Sequence, residues 1–149
     1  KESSAASDVY KRQEFHFEEI DKIELSPYLK SWLTKSANNE ERNIGAINII
    51  YCNDNYILKV NQDYLNHDTF TDIITFDYCE EDVLNSDIFI SIERVLENAK
   101  ELSISFIDEL ERVCIHGILH LCGYPDKKEE DALIMRQKED FYLTLRPKK

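Results

Sequence analysis

Along the chain the apolar positions change period several times, and each change marks an element. EFHFEEI (14–20) alternates apolar and polar side chains, the period-2 signature of a strand with one covered face. SPYLKSWLTKSANNE (26–40) opens with serine and proline, which predicts a helix with Ser26 as N-cap and Pro27 in its first position. GAINIIYCN (45–53) is rich in β-branched residues and predicts a second strand. DNYILKVNQDYLN (54–66) predicts a helix capped by Asp54, with Ile57, Leu58, Val60 and Tyr64 as its apolar positions. TDIITFDY (71–78) and SDIFIS (86–91) predict two further strands. IERVLENAKEL (92–102), SFIDELERVCIHGILHLCG (105–123) and KKEEDALIMRQKEDFYLTL (127–145) predict three helices; the second opens on Ser105 before an acidic turn and ends at Gly123.

This order of elements predicts an α/β (α+β) fold, a mixed sheet of about four strands with helices packed on it. The third and fourth strands are close enough in sequence for an antiparallel hairpin. The helix between the first two permits a parallel, right-handed crossover. The 149 residues fit one domain with one sizeable core. KESSAASDVYKRQ is polar, lacks the apolar region of a secretory signal, and is set apart as a leading tail or scar over 1–13, which leaves a single domain over 14–149. No apolar run approaches the roughly 20 residues that a membrane span requires.

Charge and cysteine usage narrow the function classes. The formal net charge of −12 works against broad binding of any polyanion, so a nucleic-acid substrate requires a local cationic feature, such as a metal ion. None of the four cysteines, Cys52, Cys79, Cys114 and Cys122, forms a CxxC pair. With no secretory signal, reduced thiols in a cytoplasm are the expectation. Cys122 lies two residues past His120, roughly on the opposite side of the helix, and reads as core.

The chemistry concentrates in VCIHGILHLCGYPD (113–126). From Val113 to Cys122 the two histidines are the sole polar side chains, so this is the central, buried helix. His116 and His120 are four residues apart and project from one face, a spacing that lets two imidazoles reach one ion at about 2 Å. Gly117 between them implies a neighbour packed too close for a Cβ. Gly123 turns the chain, and Asp126 follows His120 by six residues. The pattern H-x3-H-x5-D offers three ligands and leaves a position for water, the form of a catalytic zinc site. The competing reading is a pair of core histidines hydrogen-bonded to backbone or carboxylates.

HGILHLCGYPD resembles the signature of the YbeY family of metal-dependent endoribonucleases. NQDYLNHDTFTDIITFDY (61–78) is similar to that family's segment ending in Thr-Asp-Val-Leu-Ser-Phe, here Thr71-Asp72-Ile73-Ile74-Thr75-Phe76, and SDIFIS to its Gly-Asp-Ile strand. Together they span residues 61–126 in the family's order. The resemblance implies one zinc-like ion on His116, His120 and Asp126, and a metal-bound water that hydrolyses a phosphodiester. It also implies a role in maturation of small-subunit (16S) ribosomal RNA and in ribosome quality control. Ribosomal RNA and the small ribosomal subunit are then the partners, with no membrane and no DNA. Asp126 stands where the family usually has a third histidine, Leu65 where it has an arginine, and Pro125 where it has an acidic residue.

The remaining candidates are weighed residue by residue. Asp72 could take a proton from the attacking water, or serve as a turn residue bonded to local backbone. Lys127 and Lys128 could meet phosphate beside the ion, or be ordinary surface. His67, in NHD, could contact substrate, or belong to turn chemistry. His16 reads as a solvent-facing or edge residue. Proteolysis of the HExxH kind is disfavoured, because Gly117 occupies the position of the catalytic glutamate. The acidic charge and the Leu65 departure support a rival from another class: a non-catalytic ribosome-assembly factor with a structural metal.

Overall fold

In a computed structural model, described over residues 12–65 and 71–147, the described residues form four strands and five helices. They follow the order β1 (Arg12–Glu18), α1 (Leu29–Asn39), β2 (Asn43–Cys52), α2 (Asp54–Leu65), β3 (Ile73–Asp77), β4 (Val83–Ser91), α3 (Ile92–Leu102), α4 (Phe106–Leu121) and α5 (Glu129–Thr144). β1 begins at Arg12, which pairs with Ala46, so the strand reaches two residues into the stretch set apart as a tail.

The sheet has the order β1-β2-β4-β3. β1 pairs parallel to β2, β2 parallel to β4, and β3 antiparallel to β4, as the connection lengths imply. Alternation along the strands sends their side chains to two faces. On one face Ile47, Ile49 and Tyr51 of β2 and Leu84, Ile88 and Ile90 of β4 join the main core. Trp32 and Leu33 of α1, and Val113, Cys114, Ile115 and Ile118 of α4, close over them. On the other face Cys52, Ile74, Phe76 and Phe89 meet Ile57 and Val60 of α2 in a smaller cluster.

Two predicted caps are corrected. Ser26 does not cap α1, whose N-cap is Tyr28; the Ser26 hydroxyl donates instead to the buried Glu111 carboxylate at 2.6 Å. A charged acceptor inside the core outcompetes a local amide. α2 is capped by Asn53, whose Oδ1 accepts from the Tyr56 amide at 2.8 Å, and not by Asp54. Asp54 is drawn to α3, where its carboxylate accepts from Ser91 Oγ at 2.7 Å and pairs with Arg94. Tyr64, predicted on the apolar face of α2, is exposed, its ring set edge-on against Phe76. By contrast, Ser91 and Ser105 cap α3 and α4 with their side chains.

Candidate metal centre

α4 crosses the sheet with buried side chains almost all round, and both histidines emerge on its partly open flank. Gly117 permits this close crossing. A Cβ there would stand 3.0 Å from Ile73 Cδ1 and 3.5 Å from two carbons of Ile88. The His116 and His120 rings lie edge to face with centroids 4.6 Å apart.

Each ring is held by a group that can only accept a hydrogen bond. His116 Nδ1 lies 2.6 Å from Glu139 Oε2, and His120 Nδ1 lies 2.9 Å from the Tyr124 carbonyl oxygen. Each Nδ1 therefore carries the proton and donates it, which leaves each neutral ring with its lone pair on Nε2. Both Nε2 atoms face one carboxylate oxygen, Asp126 Oδ2, at 3.2 Å from His116 and 3.4 Å from His120. Three electron-pair donors so close repel one another unless a metal ion joins them or a proton on one Nε2 is shared with the carboxylate. A tetrahedral ion with bonds of about 2.0–2.2 Å sets its ligands about 3.3–3.6 Å apart, close to the 3.2 and 3.4 Å that separate Asp126 Oδ2 from the two Nε2 atoms. The three ligand atoms lie within 4.8 Å of one another and fit a divalent ion.

The loop after α4 brings Asp126 into place. Gly123 has φ +104°, a conformation glycine reaches without strain. Tyr124 then serves twice, its carbonyl fixing His120 and its hydroxyl donating to Glu40 Oε1 at 2.7 Å. Glu40, at the end of α1, also accepts from Lys138 at 3.1 Å and from the Tyr142 hydroxyl. The ligand loop is thus tied to both α1 and α5.

A buried ionic chain backs His116. Glu139 accepts from Arg112 Nη1 at 2.8 Å, and Arg112 also grips Glu109. Burial works against the His116 imidazolium, but Glu139, then Asp126 and Asp72, outweigh it and raise the ring above its ordinary value. Burial likewise raises Glu139, and the bonds from His116 and Arg112 overcome this and hold it below the usual carboxylate range. Neither Glu139 nor Arg112 was picked out from the sequence. The available signal was a glutamate at 139 between Met135 and Tyr142, on the buried stripe of α5.

Asp72 immediately precedes β3 and lies close enough to bear on His116. Its Oδ2 accepts from Asn98 Nδ2 of α3 at 3.2 Å, a tertiary partner where the turn reading required local backbone. Lys127 and Lys128 are exposed and link Asp126 to the start of α5. Leu65 is exposed at the end of α2. His67 lies outside the described residues. His16 sits on edge strand β1, its Nε2 3.0 Å from Asn48 Oδ1, as an edge residue should. Cys122 is core as expected, and burial pushes its thiol up to about 11, away from the thiolate a metal would need.

The family described as Endoribonuclease YbeY matches residues 9–145. The chain belongs to the YbeY family. The Endoribonuclease YbeY of Flavobacterium psychrophilum is 53% identical over 115 residues, 77% of this chain and 82% of that protein. The Endoribonuclease YbeY of Flavobacterium johnsoniae is 49% identical over 131 residues, 88% of this chain and 94% of that protein. Among solved structures, the solution structure of a Thermotoga maritima protein matches with a TM-score of 0.63 at 32% identity, covering 87% of this chain and 86% of that one. The motifs that first suggested YbeY, the two-histidine helix and the strand opening at Thr71-Asp72, flank the cluster described above.

Proposed function

We propose that this YbeY-family chain is a metal-dependent endoribonuclease acting in ribosomal RNA maturation, with the small ribosomal subunit as the setting of its substrate. The observation that carries the reading is the convergence of His116 Nε2, His120 Nε2 and Asp126 Oδ2 on one point. When bound there, a divalent ion supplies a Lewis acid for a phosphate oxygen and lowers the pKa of an attacking water. Zinc suits two imidazoles and one carboxylate and is the ion we assign. His116, His120 and Asp126 hold it. Asp72, fixed by Asn98, takes the proton from the attacking water. Lys127, Lys128 and His67 meet backbone phosphates and offset a net charge of −12. The four cysteines are free thiols, which accords with a cytoplasmic site of action.

A purely structural ion in an assembly factor is the weaker reading. Structural zinc sites are closed and four-coordinate. Here the ligand side chains of His116, His120 and Asp126 are 17%, 29% and 35% exposed, which leaves a solvent-facing side for water and a strand of RNA.

The test is cleavage of a structured RNA with a single-stranded tail, by wild type and by His120→Ala, at matched zinc. The reading predicts cleavage by wild type that a chelator abolishes, and a folded His120→Ala that cuts at less than about a hundredth of the rate. Zinc-loaded wild type that binds the RNA and leaves it whole would contradict it.

A further inference from the structure

α5 lays Met135, Glu139 and Tyr142 against the core, and Glu139 is only 2% exposed. A buried carboxylate requires partners on both oxygens. Oε1 takes Arg112 Nη1 at 2.8 Å, and Oε2 meets His116 Nδ1 at 2.6 Å. Arg112 also donates Nε to Glu109 Oε1 at 2.8 Å and Nη2 to Glu109 Oε2, and Glu109 is fully buried. A chain of Glu109, Arg112, Glu139 and His116 therefore runs from α4 to α5 and back. One guanidinium lies between two carboxylates, so one negative charge is left uncompensated, and the end that touches the ring is Glu139.

We infer that Glu139 is a positioning residue for the ion, setting the His116 tautomer and strengthening Nε2 as an electron-pair donor, while Arg112 Nη1 occupies its other oxygen. This rests on the three-ligand reading above. A carboxylate behind a ligating histidine fixes the ring and raises its basicity, and losing such a partner weakens metal binding by about 10–100-fold. The rival is that Glu139 merely docks α5 on α4 through Arg112.

Two variants separate these roles, because both remove one negative charge from the same buried cluster. Only Glu139→Gln alters the contact with His116; Glu109→Gln leaves it in place. The readout is zinc affinity by competition with a chelator near pH 7, with circular dichroism to confirm folding. Glu139→Gln should bind zinc about 10–100-fold more weakly. Glu109→Gln, though less stable, should stay within about threefold of wild type, since no contact to the ligand is lost. Wild-type zinc affinity in folded Glu139→Gln, or equal weakening in both variants, overturns the inference. A second measurement requires no variant: nitrogen NMR of the metal-free wild type, above the His116 titration, should show the Nδ1–H tautomer. An Nε2–H tautomer overturns the inference directly. If wild type takes up no zinc at all, the three-ligand reading itself fails, an outcome distinct from wild-type-like binding in Glu139→Gln.

Discussion

At the scale of single residues, the site is defined by which nitrogen of each histidine is committed. Glu139 and the Tyr124 carbonyl occupy the two Nδ1 atoms and so present both Nε2 atoms to Asp126. In the proposed site Asp126 would bring a negative charge that a histidine would not, and a water on the ion would be less acidic for it. Asp126→His should therefore retain zinc and move the acid limb of the pH–activity profile to lower pH; an unmoved limb would mean that the carboxylate does not touch the ion. The same groups set the stability of the metal-free protein. The folded value of His116 lies above its ordinary 6.5, so the stability it contributes is full below about 6.5 and is lost as pH rises through the folded value. Glu139 lies below its ordinary 4.5, so its contribution is present above about 4.5 and is lost as pH falls through the folded value. Denaturant titrations of metal-free protein should show greatest stability between these limits, and His116→Ala should remove the decline on the alkaline side. The ligand spacing was legible in the sequence because i and i+4 on a helix fix it. Glu139 was not, because its partner lies 23 positions away in another element.

At the scale of elements, α4 works as a rigid ligand platform because it can approach the sheet closely at Gly117. Gly117→Ala gains helix propensity but drives a methyl to 3.0 Å from Ile73 Cδ1. Overpacking costs about 1–3 kcal/mol against a propensity gain of about 1 kcal/mol, so the expected outcome is a net loss of up to about 2 kcal/mol. Adding Ile73→Val, which deletes that Cδ1, should recover part of the loss; chemical denaturation of the single and double variants checks both. The loop after α4 depends on Tyr124, and Tyr124→Phe removes its bond to the Glu40 carboxylate. A hydrogen bond to a charged acceptor sets the expected loss at about 1.5–3 kcal/mol, with a parallel weakening of zinc affinity. A stability loss with zinc affinity unchanged would show that the loop holds Asp126 without that anchor. Helix and strand periods were readable along the chain, whereas two of the caps were not. Ser26 and Asp54 have the right chemistry for capping, but Glu111 and Arg94 reach them across the fold and win.

At the scale of the whole molecule, the sheet order follows from connection lengths: helices span the parallel pairs that a tight turn cannot make, and a short turn joins the antiparallel hairpin. The predicted class, the central helix and the hairpin were all legible for that reason. The buried ionic chain was hidden, because hydropathy assigns charged residues to the surface. An acidic globule with two exposed lysines beside the proposed ion site should bind RNA with a shallow salt dependence, a log–log slope of about −1 to −2, and Lys127→Ala with Lys128→Ala should flatten it. A steep slope would locate the RNA on some other, more basic surface. The most direct test of the account is X-ray absorption spectroscopy of the zinc-loaded protein. It should show one ion per chain in a nitrogen and oxygen shell at about 2.0–2.2 Å, with the outer scattering of two imidazoles. A sulfur shell near about 2.3 Å, or a shell without imidazole, would contradict the placement of the ion on His116, His120 and Asp126.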